Sequence, residues 1–378
     1  MASEVEWAGL VNAAGQEYVK TVIDLTVRNR LAMAMLMERG KINTGIPWGE
    51  GQVLFVEYRD PTVSGFGYGQ GAVFQPQNFM KKAYPRIRGC HSTDAMHYDE
   101  YYKCLHATNG IRDRYKQVIP KHTKAVQDKI GLQIYADGNL ATNDNQFDGM
   151  ETYMDVATGG DAPVVGDLIA MPDGSYQGLA TDLGQSGTWT ADLASPPSSK
   201  LSSDWPHGSG DPDYDYNSPL LVNWSSNAWG TSAVTWESNC LNALSQTGDW
   251  LRKNAGATKS TLLCMLEGQL MQGFRRALGA KNYRLEPWPE AQQMGFSDTF
   301  NYEGIGVKTE FGVPANTGYV LDMDSDDVSL NFTTNDMIET EGPAKDLHSA
   351  SYLWLVFSFG NYRFVPKRSA KLYNYAAA

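Results

Sequence analysis

Lys41–Ser92 reads KINTGIPWGEGQVLFVEYRDPTVSGFGYGQGAVFQPQNFMKKAYPRIRGCHS, and the rest of the chain is organised around it. Gln52–Arg59 (QVLFVEYR) is rich in Val, Phe and Tyr, the types that fit a pleated surface. Val53 and Phe55 alternate with Leu54, Val56 and Tyr58. Asp60-Pro61 breaks the run, and Gly65–Gly71 (GFGYGQG) makes an open tip. A second extended run goes from Phe79 to His91, with Arg86 and Arg88 on either side of Ile87. The pattern predicts one long β-hairpin whose arms of about 10–12 residues reach ~35 Å. An isolated two-stranded ribbon is barely stable in water, so something outside it must cover it. The economical cover is a neighbouring copy of the same chain.

Outward from the hairpin, Tyr18–Arg39 reads as an amphipathic helix, with Val19, Val22, Ile23, Val27, Leu31 and Met35 at helical spacing and Gly40 at the C-cap. Residues 1–17 read as an arm. Met96–Thr108 reads as a short helix. Ile111 to Ala136 reads as a long one, on the stripe Tyr115, Val118, His122, Val126, Ile130 and Ile134, with Pro120 as a kink or a true start. Ser195–Asn217 (SPPSSKLSSDWPHGSGDPDYDYN) reads as a long irregular loop. Trp229–Arg252 returns to helix on Val234, Leu241, Leu244 and Leu251. Ser260–Glu267 reads as a buried strand and Met271–Leu278 as helix, so residues 160–316 surround a second core. The remainder is β-rich: Gly304–Phe311, Gly318–Met323, Val328–Phe332 and the apolar Ser351–Phe359, where Trp354 and Phe357 read as core.

Composition bounds the function. With 378 residues, 42% hydrophobic and 20% charged, the chain is globular. Its net charge of −12 and pI near 5.0 argue against coating nucleic acid, which is driven by Lys and Arg, but not against lying beside it. MASEVEWAGL has no basic or apolar signal-peptide region, and no uncharged apolar run approaches the ~18 residues of a membrane span. Four scattered cysteines suit a reducing compartment.

Motifs for chemistry are missing. There is no phosphate loop, no H-E-x-x-H zinc helix and no G-x-S-x-G elbow. Cys90, His91, His97, Cys104 and His106 are ligand types whose spacing fits no paired zinc pattern, so they read as structural. Asp322–Asp327 lacks the glycine and distal glutamate of a calcium loop, and Asp211, Asp213 and Asp215 read as a soluble loop. No catalytic, cofactor or metal residue is assigned. Many of the 20 Tyr, 13 Phe and 10 Trp fall in loop or hairpin, which favours interfaces. The intersubunit contact candidates are the aromatics Trp48, Phe55, Tyr58, Phe66, Tyr68 and Phe74. Phe79 and the flanking Arg86 and Arg88 complete the set.

RLAMAMLMERGKINTGIPWGEGQVLFVEYRD, FMKKAYPRIRG, GIRDRYKQVIPKHTKAVQDKIGLQIYADGN, YVLDMDSDDVSLNF and SYLWLVFSFGNYRFVPKRSAKLYN stand in an order that resembles the major capsid protein of tailed bacteriophages, of the Hong Kong 97-like fold. The resemblance rests on element order over most of residues 18–375. It implies an α+β chain with an N-terminal arm and helix (1–40) and an extended β-hairpin or E-loop (41–92). A peripheral domain with a long spine helix (93–158), an axial domain with the long loop 195–217 (159–316) and the return strands of the peripheral domain (317–378) follow. It implies a non-enzymatic shell subunit forming hexamers and pentamers around double-stranded DNA, in virions assembled in a bacterial cytoplasm. Portal, scaffolding and decoration or cement proteins are implied partners; DNA is met only by proximity, and no membrane or cofactor is implied. Some members crosslink a Lys to an Asn; Lys81 or Lys82 is the candidate crosslinking residue here, with no Asn partner assigned. The alternatives are a carbohydrate-binding or adhesion module, suggested by the Trp- and Asp-rich middle, and a hydrolase. Glycan binding without self-assembly marks the first, and turnover abolished by one Asp or Ser change marks the second.

Overall fold

The computed structural model describes residues 30–46, 54–57, 80–100, 102, 111–143, 145–156, 166–170, 172–173, 175–181, 217–230, 234–254, 262–281, 286–289, 298–323 and 328–374. It also describes Gly65, Tyr68, Gly69, Gly71, Phe74 and Pro76. The arm 1–17, the first part of the helix expected from Tyr18 and the loop 195–217 up to Tyr216 lie outside the described residues.

Helix α1 (Leu31–Glu38) buries Leu31, Ala32, Met35 and Leu36. Met33 also fills core, whereas Met37 is exposed. Gly40 ends the helix at φ +63°, a left-handed conformation that glycine adopts without a Cβ penalty, while Lys41 N–H donates to Leu36 O at 2.9 Å. Strands β1 (Ile42–Asn43), β2 (Leu54–Glu57), β3 (Met80–Ala83) and β4 (Arg88–His97) follow. The spine helix α2 (Ile111–Gln133) is next, then the short α3 (Glu151–Met154). Four two-residue strands, β5 (Asp155–Val156), β6 (Ile169–Ala170), β7 (Pro172–Asp173) and β8 (Ser175–Tyr176), precede β9 (Leu179–Ala180) and β10 (Leu220–Asn223). Helix α4 (Trp236–Asn254), β11 (Leu262–Leu266) and helix α5 (Gly268–Ala280) come next. Strands β12 (Glu286–Pro287), β13 (Phe300–Tyr302), β14 (Ile305–Thr309), β15 (Gly318–Asp322) and β16 (Ser329–Phe332) lead to β17 (Glu339–Asp346), β18 (Ser351–Arg363) and β19 (Ser369–Tyr373).

β18 is the hub of a five-stranded sheet. One edge pairs antiparallel with β4 from Ser351↔His97 to Gly360↔Arg88, and the other with β17 and then β16; β1 adds on parallel to β16. This corrects the reach of the expected hairpin. Its second run divides: Met80–Ala83 pairs with Leu54–Glu57, and Arg88 onward joins the sheet instead. Pro85 lies at the division, where it has no N–H to give a continuing ladder. The helix expected from Met96 starts later for the same reason, since Met96 and His97 still pair with Tyr352 and Ser351. The spine helix keeps Pro120 in its interior, and at ~1.5 Å per residue its 23 residues span ~35 Å. Val126, Ile130 and Ile134 pack it on the sheet, and Ser92 Oγ meets His122 Nδ1 at 2.7 Å across the joint.

An eight-stranded sheet runs β12-β13-β14-β11-β15-β19-β10-β6. β11 is buried along its whole length, between parallel β14 and antiparallel β15. Leu262, Cys264 and Leu266 face α4 and α5, while Leu263 and Met265 face the cluster that also holds α1, α2 and β18. The expected second core is therefore one face of a sheet whose other face belongs to the first core. α4 begins at Trp236, and Val234, expected as an apolar marker, is exposed before it. The C-terminal segment also divides. β16 to β18 join the five-stranded sheet, but β15 and β19, expected with them, complete the eight-stranded one. Apolar runs such as GYVLD and SAKLY, buried on both faces, fit a sheet interior better than an edge.

Candidate assembly surface

The ribbon β2–β3 pairs Leu54↔Ala83 through Glu57↔Met80. Ala83 is buried, but Met80, Tyr84 and Ile87 are exposed, Phe74 is 94% exposed and Tyr68 is fully so. Lys82 and Arg86 stand exposed among them. The ribbon is held at its base. Tyr84 N–H donates to Gln177 O at 2.8 Å, and Arg86 O accepts from Asn361 Nδ2 at 2.9 Å. Asn361 is itself fixed by the buried Asp148, whose carboxyl is raised by desolvation and lowered by Asn361, Arg86 and Arg88. Arg86 thus points out while its backbone is anchored, and Arg88 is half-buried within β4. Phe55 stands opposite Lys82 in the ribbon. Trp48, Tyr58, Phe66 and Phe79 lie outside the described residues.

A second apolar surface lies on β18. Its even-numbered side chains Tyr352, Trp354 and Val356 are buried, on the side of the spine helix. The odd-numbered ones, Leu353, Leu355, Phe357 and Phe359, form a row on the opposite face. Leu353 and Phe359 are exposed, and the Phe357 and Phe359 rings meet in a tilted contact, centroids 5.5 Å apart. Gly89, opposite Phe359, leaves room for its ring: a Cβ there would lie 2.5 Å from Phe359 Cε1. Directly paired residues share a face. β17 therefore borders the row with Glu339 opposite Phe357 and Glu341 opposite Leu355, and β4 borders it with exposed His91, Thr93, Ala95 and His97. This row was hidden in the sequence because SYLWLVFSF is apolar at both parities; Trp354 is core as expected, but Phe357 is on the outer face. Gly342 at φ +120° and Pro343 break the β17 ladder, which blunts that edge against strand addition.

No protein-family profile matches the chain, and no curated protein sequence matches it. Solved structures do. The capsid asymmetric unit of cyanophage A-1(L) superposes with a TM-score of 0.60 at 13% identity, covering 95% of this chain and 96% of that one. The capsid of an empty GTA particle gives 0.53 at 11% identity, covering 99% and 98%. The chain has the tailed-phage major capsid protein fold. Mixed helix and sheet in this capsid fold agree with the α+β, Hong Kong 97-like class implied by element order.

Among the described residues the ligand types do not converge. Cys90 and His91 are neighbours on β4 and so point to opposite faces, one buried and one exposed. Cys104 and His106 lie outside the described residues, as do Asp211, Asp213, Asp215, Asp324, Asp326 and Asp327. Among the described residues no group of three His, Cys, Asp or Glu could hold a metal ion. His122 Nε2 lies 3.5 Å from Asp94 Oδ2 and its Nδ1 meets Ser92, but Ser92 stands mid-strand opposite Val356, not on a turn that presents a nucleophile. The contact ties spine helix to strand.

Burial pushes the Cys90 thiol up to about 11 and Cys240 to about 12, and raises Cys264 as well. Thiols held protonated are poor nucleophiles. Iodoacetamide at pH 8 is therefore expected to leave these three unlabelled in the folded chain and to label them in denaturant, read by peptide mass spectrometry. Labelling at equal rates in both states would contradict their placement.

Proposed function

We propose that the chain is the major capsid protein of a tailed double-stranded DNA bacteriophage, a non-enzymatic subunit that assembles as hexamers and pentamers into the icosahedral shell of the virion. The observation that carries this reading is the run of exposed apolar side chains Tyr68, Phe74, Met80, Tyr84 and Ile87 on and beside β3, on a chain with the capsid fold. In one copy Tyr68 and Phe74 stand almost fully exposed, and Tyr84 and Ile87 about half exposed. We place the cover for them on the β18 outer face of a neighbouring copy, where Lys82 and Arg86 meet Glu339 and Glu341. Each contact is modest, and many per shell add by multivalency.

The proposed units are the arm and α1, the ribbon, a peripheral unit of α2 with the five-stranded sheet, and an axial unit of α4 and α5 with the eight-stranded one. Portal, scaffolding and cement proteins are the proposed further partners. The net charge of −12 suits a wall beside packaged DNA that does not grip it. Among the described residues no helix is long and apolar enough to cross a membrane. Among the described residues nothing in the geometry favours glycan binding or hydrolysis.

Negative-stain microscopy of the overexpressed chain is expected to show closed particles or capsomers. A clean monomer at high concentration would overturn the proposal.

A further inference from the structure

Among the described residues two bonds hold the root of the ribbon where β3 leaves it, and both trace back to one short stretch, Asn361–Phe364, at the end of β18. The β4–β18 ladder stops at Gly360↔Arg88. Beyond it the side chain of Asn361 takes over. Asn361 is 2% exposed and uses all four hydrogen-bonding positions of its amide. Nδ2 donates to Arg86 O at 2.9 Å and to Asp148 Oδ2 at 2.7 Å. Oδ1 accepts the N–H of Asp148 and that of Tyr362, each at 2.8 Å. Two acceptors face the nitrogen and two donors face the oxygen, so only one orientation of the amide fits. Gly138 makes room for Asp148, since a Cβ there would overlap Asp148 Oδ1.

The second bond comes from the turn between β8 and β9. Ser175↔Ala180 and Tyr176↔Leu179 pair, leaving Gln177 and Gly178 as a two-residue turn at φ +53° and +81°. Positive φ at both positions suits the twist of a tight hairpin, at a backbone cost for Gln177 that glycine would not carry. The turn aims Gln177 O at the Tyr84 N–H, 2.8 Å away. Its position is set by Tyr176, which is 2% exposed. The Tyr176 hydroxyl donates to Tyr362 O and accepts the Phe364 N–H, both at 3.1 Å. Tyr362 in turn donates its hydroxyl to Ile130 O on the spine helix at 2.8 Å. The ribbon is thus gripped at Tyr84 N and Arg86 O, on either side of Pro85, whose ring fixes its own φ.

We propose that this root is a clamp rather than a hinge: Asn361 and the Gln177 turn aim the ribbon relative to the spine helix before any neighbour is met, with Asn361 the positioning residue. An arm aimed in advance loses less freedom when it docks. Adjustment to different neighbours then falls to the chain beyond β2 and β3, not to the root. What the ribbon is aimed at rests on the capsid reading. The clamp itself is read within one chain, so the two can fail separately.

Pulsed electron–electron distance measurement on the full chain tests this. Spin labels are placed at Lys82→Cys on β3 and at Gln127→Cys, exposed on α2, in a Cys104→Ser background. The labelled chain is diluted into excess unlabelled chain, so that only distances within one copy are read. The expected result is one narrow distance distribution, the same in unassembled chain and in particles. Asn361→Asp keeps the shape of the side chain but turns a carboxylate on Arg86 O and Asp148. It is expected to broaden the distribution and to speed exchange of the Tyr84 amide roughly tenfold, the effect of losing about one hydrogen bond, while β11 amides are unchanged. A distribution as narrow in Asn361→Asp as in the wild type overturns the proposal. So does a broad wild-type distribution, or a wild-type Tyr84 amide exchanging at its intrinsic rate, and neither of these needs the variant to fold.

Discussion

Reversing Glu341 to lysine, alone or with Glu339, is expected to abolish particle formation, and reversing Lys82 and Arg86 to glutamate in the same chain is expected to restore it. Glu341 is exposed beside Leu355, and Glu339 stands beside Phe357. Lys82 and Arg86 are exposed on the ribbon among Met80, Tyr84 and Ile87. One exposed pair contributes only about 0.2–1 kcal/mol. Like charges pressed together cost several kcal/mol, and the cost recurs at every copy of the contact. A small effect per site therefore becomes an all-or-none effect on assembly. Exposed substitutions of this kind change the stability of the single chain by about 0.5 kcal/mol or less. Glu339→Lys also gives up the 2.8 Å bond to Asn335 N–H, so Glu341→Lys is the cleaner variant. Assembly by the Glu341→Lys chain, or no rescue by the compensating reversal, would separate the ribbon from this face.

Lys371→Met is expected to destabilise the subunit by about 3–5 kcal/mol, read as a lower denaturant midpoint with unchanged slope. Lys371 on β19 meets Glu151 Oε2 at 2.6 Å and donates to Met154 O at 3.1 Å, which fastens α3 to the eight-stranded sheet. Tyr319, its partner across β15, donates its hydroxyl to Glu151 as well. Burial raises the Glu151 carboxyl, and Lys371 is the main influence holding it down. Methionine fills the space but leaves a buried carboxylate without its cation. The Glu151 proton then binds still more tightly in the folded chain, so the loss is greatest at high pH and shrinks as pH falls and the carboxyl is protonated. Adding Glu151→Leu recovers much of the deficit, because no unpaired charge remains. A Lys371→Met chain as stable as the parent at pH 8 would show that the pair contributes little.

The elements that were legible in the sequence announce themselves locally. Gly40 marks the end of α1, the stripe Val126-Ile130-Ile134 marks the buried side of α2, and LLCML marks the central strand β11. What was not legible depends on partners far along the chain. Nothing in RGCHSTDAMH says that it leaves the ribbon to pair with Ser351–Gly360. GYVLD and SAKLY join a different sheet from the strands between them because their neighbours in space, not in sequence, bury both faces. The outer row of β18 was masked by apolar residues at both parities. Glu310 and Glu151 lie in stretches with no motif, and only the packing makes them buried carboxylates. At 13% identity to the cyanophage capsid structure and a TM-score of 0.60, what is shared is the fold rather than the residues that build it.

The central claim is that the ribbon completes itself on another copy. A cryo-electron-microscopy map of particles formed by the full chain tests it most directly. The account predicts density for Leu54–Glu57 and Met80–Ala83 lying across the Leu353–Phe359 row of a neighbouring subunit. A ribbon folded onto its own subunit, with that row open to solvent in the assembled shell, would contradict it.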